Sequence, residues 1–313
     1  MNPLIQLRKA IPLFLVALTC FGLSPMLQAL LPPPPPDGGY PNRNTAEGDG
    51  SLFSLTTGID NTAIGYRGLF SNTTGNSNTA TGSQALLSNT TGGQNTATGV
   101  QALYLNRTGD FNTAIGAGAL VFNVSGSFNT ASGSGALLDN VGGDDNTAIG
   151  LSALEQNTTG NANTAIGSLA LKENVSGSFN TASGFQALFS NTTGGQNTAT
   201  GHNALAGNTT GRFNTANGVH ALSGNGTNNF NTGDENTANG FQALLNNTTG
   251  YNNTADGSKA MFRNTTGNKN TASGLAALFS NTTGVENTAI GNAAERTQLA
   301  RSISPWEVML ALI

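Results

Sequence analysis

The sequence is poor in reactive and charged residues. It holds one cysteine, one tryptophan and two histidines among 313 residues, with 12 basic and 16 acidic side chains. A single cysteine excludes a disulfide-stapled fold. Charged residues make up 9% of the chain, against about a quarter in an ordinary soluble domain. The few Lys and Arg are scattered and the net charge is −4, so nucleic-acid binding has no electrostatic footprint. The same scarcity separates the chain from highly charged disordered sequences. No H-E-x-x-H, G-x-S-x-G or phosphate-binding loop occurs, and no column of Asp marks a calcium-binding repeat. His202 and His220 fall at different repeat positions, and their side chains are expected to point apart. The chain is therefore read as not an enzyme, with no cofactor, metal or small-molecule substrate.

Glycine is abundant, at 42 residues, and its spacing organises the sequence. The tripeptide Asn-Thr-Ala begins at residues 44, 61, 78, 95, 112, 129, 146, 163, 180, 197 and 214, always 17 apart, then at 236, 253, 270 and 287. The unit reads N-T-A-x-G-x-x-A-L-x-x-N-x-[TS]-G-x-x, with positions counted from its first Asn. The first copy of typical form supplies Asn61, Thr62, Ala63, Gly65, Leu69, Asn72 and Gly75 as structural positions. One step of 22 marks an insertion within residues 225–235, where Asn225, Asn228, Asn229 and Phe230 are candidates for a contact loop.

Such phase-locking means stacking. A buried Leu contributes about 2 kcal/mol, an order of magnitude less than the cost of ordering 17 residues. No unit folds alone, so each leans on its neighbours. The fold read from this pattern is a parallel β-solenoid (β-roll or β-helix) of about 15 coils spanning residues 44–291, some 70 Å long at about 4.8 Å per coil. Thr-Ala-x makes a short strand with Ala inward and its two neighbours outward. Positions 6, 9 and 10 are often apolar while 7 and 11 are polar, as in Phe185, Leu188 and Phe189. That i, i+3, i+4 spacing favours a helical turn over an all-β coil, ended by the position-12 Asn and the position-15 Gly. Position 10 (Phe53, Phe70, Leu87, Tyr104 and onward) is expected to face inward as an aromatic ladder. Facing outward instead, it would be an apolar stripe demanding a partner.

The ends differ. Arg8 and Lys9, the uncharged run from Ala10 and the Leu27-Gln-Ala29 site read as a signal peptide over residues 1–29, in preference to an uncleaved anchor or a lipid on Cys20. Residues 30–43, with the proline run Pro32 to Pro36, read as a linker. Residues 292–313 read either as a cap on the last coil or as the stump of a longer tail.

Asn61-Thr-Ala-Ile-Gly65 and its copies at 112–116, 146–150, 163–167 and 287–291 resemble the N-S-V-A-I-G core of trimeric autotransporter adhesin heads (YadA-like). The longer period is closer to bacterial N-T-A-x-G repeat proteins. The resemblance covers roughly residues 44–291. It implies a left-handed roll, a homotrimer, and binding to extracellular matrix, glycan or cell surface. Neither the stalk nor the membrane barrel of those adhesins follows the repeats in this sequence.

The functional expectation is an exported structural or adhesive protein, secreted or at the cell surface, including association with an outer membrane. Repetition lets weak contacts add along one face. An alternative is ice or crystal-surface binding by the position-2 Thr column (Thr62, Thr79, Thr96 onward), although position 4 varies from Ile to Asp. A polysaccharide-active β-helix enzyme ranks lower. The repeated Asn72-Thr-Thr74 type of sequon is read as turn chemistry rather than glycosylation.

Overall fold

A computed structural model describes residues 39–224 and 231–295, all within one unit, Pro35–Ile313. The signal peptide, most of the linker, the four contact-loop candidates and residues 296–313 lie outside the described residues.

Each copy of Thr-Ala-x forms one short strand. After β1 (Gly39–Tyr40) and β2 (Asn44–Glu47), strands β3 (Thr62–Ile64) to β16 (Thr288–Ile290) follow one per repeat. They form a single sheet in sequence order. From β2 onward every pairing is parallel with like on like: Thr62 faces Thr79, and Ala63 faces Ala80. The register holds across the 22-residue step, where Thr215 faces Thr237. The chain is thus a parallel β-solenoid with a 17-residue coil. At its first edge β1 runs antiparallel to β2, so the end of the segment read as a linker pairs with the first coil.

Backbone pairing continues outside the strands. In the coil from Asn61, Arg67 N–H donates to Asp49 O of the coil before (2.9 Å), and Leu69 N–H to Ala85 O of the coil after (3.0 Å). Ser71 and Thr73 also donate forward, at 3.0 Å each. Only two tight turns lie within the coil, Gly68 N–H to Gly65 O and Asn72 N–H to Leu69 O.

The helical turn expected over positions 6–12 is absent. An α-helix needs consecutive residues at negative φ, whereas positions 7 and 9 lie in the left-handed region, Arg67 at 54° and Leu69 at 48°. Position 9 repeats this at 48–54° in fourteen coils. These left-handed residues swing the chain through successive corners and send its N–H groups to neighbouring coils. Among the described residues the helical segment is one 3₁₀ turn, Pro41–Arg43, and no helix is long and apolar enough to cross a membrane.

The core is narrow and uniform. Ala at positions 3 and 8 and Leu (or Met261) at position 9 are fully buried along the stack, together with the Asn of positions 1 and 12. Position 5 requires glycine: Gly82 sits at φ +134°, and a Cβ there would meet Gly99 O at 2.6 Å. The aromatic row of position 10 faces outward, correcting its expected place inside. The bore is already filled by Ala and Leu, and Phe53 remains 47% exposed.

Candidate binding surface and pocket

Two asparagine ladders hold the coil shut. The first runs through position 1: Asn78 donates both its backbone N–H (3.0 Å) and its Nδ2 (3.1 Å) to Asn61 Oδ1. The second runs through position 12, where Asn89 Nδ2 donates to Asn72 Oδ1 at 2.9 Å. Both ladders share the position-15 carbonyl, so Gly75 O accepts from Asn61 Nδ2 (2.9 Å) and Asn72 Nδ2 (3.0 Å). Each buried Nδ2 among the described residues thereby finds at least one acceptor away from bulk solvent, which is the condition for burying it. Gly75 must lack a side chain because a Cβ would run into Gly92 O and Asn72 Oδ1. Asn72 and Asn123 are fully buried, so these sequons present no free amide. Of the remaining structural positions, Ala63 and Leu69 fill the core and Thr62 is half-buried on the outer face.

The irregular coil keeps both ladders by an unexpected residue. Asn231 occupies the position-12 rung: it is fully buried, and Asn247 Nδ2 donates to its Oδ1 at 3.1 Å. Asn231-Thr-Gly233 is one residue shorter than the usual Asn-x-Thr-Gly, so one turn residue is missing. The short Asn-to-Gly spacing was the available signal.

A third device went unread in the sequence. Position-16 side chains cap the preceding coil: Asp144 Oδ1 accepts from Ser127 N–H (2.7 Å) and Asn161 Oδ1 from Asp144 N–H (2.8 Å). Asp234 does the same for Arg212 N–H at 2.7 Å. Asp144 and Asp234, the first members of the two acidic pairs, thus supply turn acceptors. Among the described residues no group of three His, Cys, Asp or Glu is placed to hold a metal ion.

The outer surface is built of columns. Phe53 stacks on Phe70 with centroids 5.0 Å apart and planes 2° from parallel, and Phe262 on Phe279 at 5.1 Å and 7°. Phe111 and Phe128, at position 17, stack at 4.9 Å while both stay about half exposed. Cations lie over several rings, Arg67 over Phe70 and Arg263 over Phe279. The break in the position-10 row is an ion pair, Lys172 Nζ to Glu155 at 3.7 Å. Beside it, burial and the Glu155 charge raise the Asp139 carboxyl above its ordinary pKa.

One cavity interrupts these columns. It encloses about 290 Å³ and is lined by Gln186, Phe189, Asn203, Ala206, His220 and Ser223 among others. His202 and His220 do not point apart as expected, since their rings meet edge to face at 5.4 Å. Phe185 stacks on the other side of His202. Coils stack closely enough for position 6 of one to reach position 7 of the next. Burial, then the neighbouring His202, lower the His220 pKa below the usual histidine value.

Compared with protein-family models and with curated proteins, the chain matches none.

Proposed function

We propose that the protein is an exported structural or adhesive solenoid that binds extracellular matrix, glycan or cell surface through many weak contacts. The observation that supports this most is the set of outward columns of apolar and aromatic side chains repeated from coil to coil, such as Phe111 on Phe128. A binding unit repeated at one strand spacing gains by effective concentration, without needing a deep site. Secretion or cell-surface placement, with or without outer-membrane association, follows from the basic and apolar N-terminal segment. Assembly as a homotrimer, as in the adhesin heads the repeats resemble, belongs to the same proposal, with the half-buried position-10 stripe as the contact. Solid-phase binding to matrix proteins, glycans and whole cells tests adhesion, and no retention on any of them refutes it. Light scattering after size exclusion tests the trimer, and a monomer mass removes it.

A second reading has its own support. The position-2 Thr forms an unbroken in-register column from Thr45 to Thr288 on a parallel sheet, and Thr79-Ala-Thr81 and Thr96-Ala-Thr98 add a second outward hydroxyl. Such a row suits an ordered ice or crystal surface. Thermal hysteresis at millimolar protein supports that reading, and its absence removes it.

A further inference from the structure

The outward side of the strands carries an uncharged panel. Positions 2 and 4 lie on each strand, position 6 follows it, and the position-17 residue of the coil before leads into it. Backbone bonds between coils continue through both flanks, from Phe111 N–H to Gly93 O (3.1 Å) and from Gln101 N–H to Ser83 O (2.9 Å), so all four columns rise in step. Over the nine coils that begin at residues 78 to 214, Asp145 is the one Asp, Glu, Lys or Arg in these columns. Charges return beyond both ends, at Glu47 and Asp60 and at Glu235 and Asp256. Large apolar side chains stand open within the panel: Ile115, Ile149 and Ile166 are 42–48% exposed and Phe179 is 64% exposed. Depletion of charge at the centre, inside a polar rim, is the composition of a protein interface. Nine coils at about 4.8 Å and about six residue steps at about 3.3 Å give a face of about 850 Å² on one copy. A stable pair takes about 800 Å² from each partner, so the panel is large enough.

The order of large and small side chains along the panel selects the occupant. The middle coil begins at Asn146. A two-fold axis across the stack at that level sets each column against the same column of a second copy, with the coil order reversed. Position 4 then brings Ser132 opposite Ile166 and Ile115 opposite Ser183. Position 17 brings Phe128 opposite Ala162, and position 6 brings Ala117 opposite Phe185. Each pairing occurs twice by symmetry, and large against small lets two sheet faces interdigitate. Phe111 meets Phe179, while Ile149 and Leu151 meet their own copies at the axis. Two copies running parallel fit worse. Position 17 would then face position 6, setting Asp145 on Leu151 and Phe179 on Phe185, each twice.

We propose that this panel docks a second copy of the chain, antiparallel and face to face, about a two-fold axis at the coil of Asn146. The position-10 columns lie beyond the left-handed corner at position 7 (Arg67, φ 54°) and stay open. The contact therefore neither needs nor removes the adhesive reading. It does cover the Thr column that the ice reading requires free.

The test is size exclusion with light scattering on the full chain at micromolar concentration, where twice the monomer mass is expected. Ser132→Ile sets Ile against Ile166 in both halves, and the strand accepts it, since Ile115 and Ile149 already stand at position 4. This variant adds apolar surface, yet overpacking should raise the dissociation constant at least about tenfold. Adding Ile166→Ser restores the pairing with the two partners exchanged, and should return the constant to within about threefold. Asp145→Asn removes the one meeting of like charges within the panel and should tighten the pair. Asn252 already holds the same left-handed position (φ 56°). Circular dichroism checks folding, and Ser183→Ile, opposite Ile115, replaces Ser132→Ile if that chain misfolds. A six-fold mass that Ser132→Ile halves supports this contact together with the position-10 trimer. A monomeric chain overturns the proposal, and thermal hysteresis in that monomer gives the face to a crystal surface instead. A trimer mass unmoved by Ser132→Ile overturns it as well, as does a variant that pairs as tightly as the unchanged chain.

Discussion

The strongest quantitative expectation concerns one rung of the first asparagine ladder. Asn146 Oδ1 accepts the backbone N–H of Asn163 at 3.0 Å and its Nδ2 at 3.1 Å. Asn146→Leu keeps the volume and removes that acceptor. Gly160 O retains its bond from Asn157 Nδ2, and Asn129 Oδ1 retains the backbone N–H of residue 146. Two donors on Asn163 lose their partner inside a sealed core, while its second amide hydrogen still reaches Gly177 O. Each unpaired buried donor costs about 1–3 kcal/mol, so the variant should lose about 4 kcal/mol. In a stack stabilised by nearest neighbours the loss is concentrated locally, so amide hydrogen exchange is the sharper assay. Exchange at Asn163 should accelerate by about three orders of magnitude for that free energy, with smaller changes two coils away. Ile149→Thr, on the exposed side of the same coil, is the control and should stay within about 0.5 kcal/mol. Unchanged exchange at Asn163, or an effect no larger than the control, would refute the reasoning.

Three further outcomes follow from the geometry. Gly82→Ala combines a φ of +134° with a 2.6 Å approach to a backbone carbonyl, and should cost more than about 2 kcal/mol in denaturant unfolding. Asp139 has its carboxyl pKa raised by burial and by Glu155, so the folded state holds its proton to higher pH than the unfolded chain. Its ionisation therefore penalises folding at neutral pH, and the penalty fades as pH falls through the folded pKa. Asp139→Asn should raise the unfolding midpoint at pH 7 and lose that advantage in acid. For His220 the folded pKa lies below the ordinary 6.5, so stability is lost as pH falls from about 6.5 toward the folded value. That slope should flatten in His220→Gln, measured by the unfolding midpoint between pH 7 and pH 5.

Much of the architecture could be read before the structure because it rests on strict repetition. Seventeen-residue spacing gave the stack, and the alternation in Thr62-Ala63-Ile64 gave one inward and two outward residues, as the burial shows. The helical turn failed for a physical reason. Apolar residues at positions 6, 9 and 10 mimic one helix face, yet only position 9 is inside; Phe185 at position 6 is exposed. Left-handed corners are usually marked by Gly or Asn, and here the corner residue is a buried Leu held by backbone bonds to the adjacent coil. A fainter signal existed: no Val, Ile or Thr stands at positions 7, 9 or 17 in the first fourteen copies, as expected where φ is positive and β-branching is least tolerated. The pocket was not legible, because it arises from small residues at 206 and 223 next to a ring at 189. Only the stacking direction of that ring turns their smallness into a hole.

The two amide ladders also bear on how such a chain changes length. Each amide addresses only the identical amide one level below and the glycine carbonyl beside it, so a level carries no information about how many others exist. Duplicating or excising seventeen residues leaves every remaining contact chemically unchanged, whereas adding one or two misaligns both rails at once. The 22-residue step is accommodated because Asn231 supplies the rung of the second rail in that coil. Reach thus becomes a quantity that selection can adjust in whole steps, like marks on a ruler, without redesigning the interior.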